Sequence, residues 1–196
     1  MLAFRVYSSV LIFSIISACS LAQEVLTSLP YNFTFSALNT TQPNANTTGV
    51  PLVLGQAGAT GGYALHVSST YSSYPYNDYD ALGLQNKILL AYGTDGSYQT
   101  NAVAVQNGSP LIWVTTTLPN RPADPIFSGL KLSPTSEYPL LAANGVSSLW
   151  SLCTTKSPRP QTNILFNVST PNSLDTTYDP ASCYGVQILI LPHSQS

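Results

Sequence analysis

Apolar and polar residues alternate along much of this chain with a period of two. In Tyr31-Asn32-Phe33-Thr34-Phe35-Ser36 the rings fall on one side and the polar residues on the other, the pattern of a half-buried strand. Ile164-Leu165-Phe166-Asn167-Val168-Ser169 repeats it, with Ile164, Phe166 and Val168 inward and Asn167 outward. Further short strand-like runs are Pro51–Leu54, Tyr63–Ser68, Lys87–Tyr92, Asn101–Gln106, Leu111–Leu118, Leu130–Ser133, Leu140–Ala143, Leu149–Thr154 and Tyr184–Leu191. Turn residues such as Thr94-Asp95-Gly96, Asn107-Gly108 and Asn144-Gly145 separate them, and no stretch shows a helical period. The expectation is one compact antiparallel all-β domain, with a β-trefoil-like barrel favoured over a β-sandwich. The trefoil reading rests on three comparable hairpins: Pro51–Gly55 with Tyr63–Leu65, Ile88–Gly93 with Gly96–Tyr98, and Pro139–Gly145 with Leu149–Leu152. Their spacings are unequal, about 37 and 51 residues.

The first 22 residues break the pattern. Arg5 precedes the apolar run Val10–Ile16, and small residues follow at Ser17, Ala18, Ser20 and Ala22. This order reads as a secretory signal peptide, too short for a membrane span of roughly 20 apolar residues. Cleavage after Ala22 leaves Gln23 as the first residue of a single secreted domain, 23–196, whose segment 23–50 is read as a loop-rich, glycan-bearing approach. Ile16-Ser17-Ala18-Cys19 also resembles a lipobox, but the weakly basic start and the glycosylation pattern argue against it.

Charge is scarce, with 7% of residues Asp, Glu, Lys or Arg against about 25% in an average soluble protein. Beyond Ala22 five cations face eight acids. No basic cluster for nucleic acid and no basic amphipathic helix for a membrane surface is present. Two cysteines remain after the leader, Cys153 and Cys183, and an even pair in an oxidising compartment predicts one disulfide closing a ring of about 31 residues.

Five Asn-x-Ser/Thr sequons occur, at Asn32, Asn39, Asn46, Asn107 and Asn167. Asn107 is the poorest acceptor because Pro110 follows its triplet. Asn32 and Asn167 fall on the polar sides of their strands, where a glycan can stand. The expectation is a eukaryotic N-glycoprotein.

Candidate chemistry is thin. His66 lies opposite Leu65 and Val67 and reads as a half-exposed strand histidine. His193 is near the C-terminus, and no nucleophile elbow or metal-ligand spacing is present. Asp78 and Asp80 form the closest pair of acids and sustain only a minor glycosidase reading. The segment Tyr71–Asp80 concentrates four tyrosines and two acids in ten residues. Flat rings beside carboxylates suit sugar contacts, so Tyr74, Tyr76, Asp78 and Tyr79 are the candidate ligand-binding residues. Trp113 and Trp150 read as core.

Leu149-Trp150-Ser151-Leu152-Cys153 and Cys183-Tyr184-Gly185-Val186, with Asn163–Phe166 between them, resemble the fungal phiA-like group of small secreted cell-wall proteins. Asn32–Leu38 is similar to that group's opening strand and Leu84–Leu89 to a central one. The resemblance implies an extracellular or cell-wall location and supplies no catalytic residues. Together these readings lead to a secreted, non-enzymatic glycoprotein with a structural or adhesive role. No cofactor is expected, and the one possible partner is a wall polysaccharide or other extracellular glycan. The alternatives are a lectin-like module and a small glycoside hydrolase.

Overall fold

The computed structural model describes residues 23–60, 62–94, 99–116, 123–168 and 177–193. The expected leader, the Asp95-Gly96 turn and Ser169 lie outside the described residues. Thirteen strands are present: β1 (Glu24–Leu26), β2 (Phe33–Asn39), β3 (Val50–Thr60), β4 (Tyr63–Thr70), β5 (Ala81–Gln85), β6 (Ile88–Tyr92), β7 (Gln99–Ala102), β8 (Ile112–Thr116), β9 (Phe127–Lys131), β10 (Leu140–Ala143), β11 (Trp150–Thr154), β12 (Thr162–Phe166) and β13 (Tyr184–Pro192). A single 3₁₀ turn, Pro180–Ser182, is the only helical element among the described residues. No helix among them is long and apolar enough to cross a membrane.

All pairings are antiparallel. Nine strands close a barrel in the order β13-β11-β12-β4-β8-β7-β6-β5-β2, with β2 returning to β13 through seven paired positions from Phe33–Pro192 to Asn39–Val186. β3 pairs with both β2 and β4 and so links two strands that are not neighbours in that ring. β9 and β10 extend the sheet from β13, and β1 adds a short edge on β9. The all-β expectation therefore holds. Of the three expected hairpins, β3–β4 pairs directly. The second strand expected in the next, Gly96–Tyr98, lies outside the described residues, and β6 pairs instead with β7, which begins at Gln99. The third does not form, because β13 intervenes between β10 and β11.

The core follows the alternation. Phe33, Phe35, Ile164 and Phe166 are buried together with Trp113, Phe127, Trp150 and Ile188. Trp150 donates its indole N–H to the Leu141 carbonyl at 2.9 Å and meets Phe166 edge-on at 4.9 Å. Tyr31 departs from its expected place and stands 37% exposed, because the chain joins β2 only at Phe33. The approach to β2 is also more ordered than expected. β1 pairs with β9, and Lys87 N–H donates to Thr27 O while Leu29 N–H donates to Leu84 O.

Turn chemistry sets two registers. Asn144-Gly145 makes a two-residue turn with φ of 52° and 79° between the bridged Ala143 and Val146. Asn86-Lys87 makes another between β5 and β6, with φ of 49° and 66°. Lysine is a poor choice there. Hydrogen bonds from Asn86 N–H to Ser28 Oγ and from Phe127 N–H to Lys87 O hold the strained pair in place.

Candidate functional site

The tyrosine-rich segment leaves β4 through a tight turn. Ser73 and Tyr74 N–H groups both donate to Thr70 O, and Thr162 N–H on β12 donates to Ser73 Oγ at 2.9 Å. The turn is thus fixed to the barrel wall. Beyond it Tyr74 and Tyr76 meet edge to face with centroids 5.2 Å apart. Tyr76 is 63% exposed, Tyr74 is half-buried and Asp78 is exposed. The Tyr74 phenol is pushed upward by burial first and then by the Asp78 carboxylate and Tyr76, so these three groups share one neighbourhood.

Tyr79 does not belong with them. Its ring is buried, its hydroxyl lies 3.3 Å from His66 Nε2 and 3.1 Å from Thr115 Oγ1, and it packs edge-on against the imidazole at 4.9 Å. The candidate residue Tyr79 is therefore an anchor between the loop and β4–β8. Asp80 is half-buried beside Thr34 and Leu82. What remains outside is an aromatic pair with one carboxylate, chemistry that can stack on a sugar ring and accept from its hydroxyls.

His66 reports on this loop. Burial lowers its pKa from the ordinary 6.5, and the Asp78 charge partly offsets the effect. A lowered base binds fewer protons folded than unfolded, so stability is full above about pH 6.5 and declines as the pH falls below it. We expect the His66 ring resonance to titrate below 6.5, and lower still in Asp78→Asn. A midpoint unmoved by that substitution would place Asp78 away from the ring.

A second concavity was not visible in the sequence. A cavity of about 580 Å³ opens beside β12, floored by Asn163 and Tyr178 and rimmed by Gln56, Gln161 and Arg159. Asn163 is 3% exposed, accepts from Ser69 Oγ at 2.7 Å and donates to the Tyr178 hydroxyl at 2.9 Å. The available signal was a lone Asn opening an apolar strand run.

The sequons differ in geometry. Asn39 Oδ1 accepts from Thr41 N–H, Thr41 Oγ1 and Gln42 N–H, and Asn46 Oδ1 accepts from Thr48 N–H, Thr48 Oγ1 and Gly49 N–H. In both, the amide oxygen is engaged and Nδ2, the atom that carries a glycan, makes no hydrogen bond among the described residues. Asn167 Nδ2 instead donates to Asn107 Oδ1 at 2.9 Å, so the atom that would carry a glycan is engaged at Asn167, whereas at Asn107 only the amide oxygen is. Asn32 is exposed at the mouth of β2.

Cys153 and Cys183 are joined, with S–S 2.03 Å. Among the described residues no group of three or more His, Cys, Asp or Glu side chains could hold a metal ion. The chain matches no protein-family model, no curated protein and no solved structure.

Proposed function

We propose that this chain is an exported, N-glycosylated β-barrel protein with a structural or adhesive role at a cell surface or wall, and that it is not an enzyme. The observation that carries the reading is the pair of sequons at Asn39, half-buried at the end of β2, and Asn46, exposed, each folded with Nδ2 making no hydrogen bond among the described residues, in a chain whose two post-leader cysteines form a disulfide. Both features suit an oxidising, glycosylating compartment. The likeness of Leu149–Cys153 and Cys183–Val186 to the phiA-like cell-wall group points the same way. A trefoil-like threefold plan for the barrel has the support of one of its three expected hairpins, β3–β4, and the functional reading does not depend on it.

Mass spectrometry of medium from a eukaryotic culture tests this. The expected product begins at Gln23, has Cys153 linked to Cys183 and carries glycans at Asn32, Asn39 and Asn46. Asn107 and Asn167 are expected to be largely empty, Asn107 because Pro110 follows its triplet and Asn167 because its Nδ2 is engaged by Asn107 Oδ1. A chain retained in the cell with its leader and two alkylatable thiols would sink the reading.

A second reading, a carbohydrate-binding module, is favoured by the exposed Tyr74–Tyr76 pair beside Asp78. A glycan array of chitin, glucan and mannan fragments decides it. Binding is expected to weaken at least about tenfold in Tyr76→Ala, the loss of one stacking contact of roughly 1.5 kcal/mol. Silence across the array removes this reading. Turnover of any polysaccharide that disappears in Asp78→Asn would instead reinstate the glycosidase.

A further inference from the structure

A groove of about 410 Å³ runs beside the start of β2, lined by Tyr31, Asn32, Gly83, Gln85, Tyr92 and His193 among others. Its volume falls within the roughly 300–1,000 Å³ of small-ligand sites. Tyr92 forms one wall and is held there. Gln85 Nε2 donates to its hydroxyl at 3.3 Å, and its ring lies over Gly83, where an added Cβ would stand 2.7 Å from the phenol oxygen. Tyr31 contributes a second, partly exposed ring. The lining combines flat apolar faces with the amide of Gln85 and the imidazole of His193, a set that suits the C–H faces and hydroxyls of a sugar.

The groove also contains an attachment point. Asn32 begins the sequon Asn32-Phe33-Thr34, is exposed, and its side chain makes no hydrogen bond among the described residues. Its backbone is fixed, because its carbonyl accepts from His193 N–H at 2.9 Å and the next residue, Phe33, pairs with both Pro192 and Leu82. A glycan on Asn32 therefore starts from a rigid stem inside the groove. Tethering raises its effective concentration at the two rings to the millimolar range or above, so weak stacking suffices to seat it.

We propose that this groove is the seat of the chain's own N-glycan, whose first sugars stack on Tyr31 and Tyr92 and cover the seam where β2 meets β5 and β13. The proposal rests on the glycosylated, exported reading above and assigns its Asn32 glycan a structural job. The glycans at Asn39, at the end of β2, and at Asn46, on an exposed loop, have no such role.

The test uses protein secreted from a eukaryotic host, with occupancy of Asn32 first established by site mapping. Thermal midpoints are then compared for wild type, Asn32→Gln, the Tyr31→Ala/Tyr92→Ala variant and the combination of all three. We expect Asn32→Gln to lower the midpoint by about 2–4 °C in the native background and by less than about 1 °C when both rings are absent. Asn46→Gln is expected to leave it unchanged. Should the ring variant fail to fold, contacts between sugar and tyrosine-ring protons in the NMR spectrum of the wild-type glycoprotein decide the matter: their presence supports the seat and their absence overturns it. Equal shifts in both backgrounds at an occupied Asn32 overturn the seat and leave the glycoprotein reading standing. An Asn32 empty in the secreted protein overturns the seat and the occupancy it rests on.

Discussion

Trp113→Ala is expected to destabilise the barrel by about 3–5 kcal/mol, the range for truncating a fully buried aromatic residue. Trp113 is 0% exposed and sits on β8 opposite His66 of β4 and Ala102 of β7. Its indole N–H donates to Ser68 Oγ at 2.8 Å, and Ser68 is itself buried. Truncation removes the ring volume and leaves that hydroxyl without its donor. The two terms are separable. Trp113→Phe keeps most of the volume but loses the donor, and adding Ser68→Ala to it is expected to cost less than the sum of the single changes, with a coupling of about 0.5–1.5 kcal/mol. Urea unfolding followed by far-UV circular dichroism checks each variant. Tyr76→Ala, at an exposed position, is expected to stay within about 0.5 kcal/mol of wild type in the same assay. A Trp113→Ala variant with an unchanged midpoint would mean that this ring is not in the interior.

Period-two alternation was a sound guide to where strands lie and a poor one to how they pair. The eleven sequence-predicted runs all contain strand, but the boundaries shift: β3 runs on to Thr60 beyond the expected Leu54, and β7 and β9 overlap Asn101–Gln106 and Leu130–Ser133 by only two residues each. β5 escaped notice because Gly83 interrupts its apolar run, and Gly83 is there to admit the Tyr92 ring. β1, three residues long, has no periodicity to show. The pairing of β10 with β13 in place of β11 joins segments far apart in the chain, and no local pattern encodes it. On β12 the alternation itself gives way. Leu165 is buried as fully as Ile164, because its side packs against Cys153 and Tyr178 in a second small core. The candidate site was legible to the same depth. Composition marked the tyrosine loop, but Tyr76 and Tyr79 look alike in sequence. What separates them is the contact of Tyr79 with His66 and Thr115, 13 and 36 positions away. The groove at Tyr31, Tyr92 and His193 gathers three distant segments and could only be seen folded.

Removing the Cys153–Cys183 disulfide by Cys153→Ala/Cys183→Ala is expected to cost about 3–4 kcal/mol on the chain-entropy account, since the two cysteines are 30 positions apart. The replacement by alanine avoids introducing new buried polar groups. The bond lies where β11 pairs with β13 through Leu152 and Tyr184, and the ring it closes encloses all of β12. β13 is the strand on which most of the architecture converges: it pairs with β10, β11 and β2, and its contact with β2 is what closes the barrel. An unlinked chain must find that long-range closure from a larger unfolded ensemble. The variant is therefore expected to show a lower urea midpoint together with a steeper dependence on urea, because its unfolded state is less compact. Cys153 is also fully buried against Leu165 and Tyr178, so part of the loss is local packing. Chemical reduction of the intact protein separates the two contributions, since it opens the ring while keeping the sulfur atoms in place. If neither the reduced protein nor the double alanine variant lost stability, the cross-link would be dispensable to the fold, and its presence would speak only to the compartment in which the chain matures.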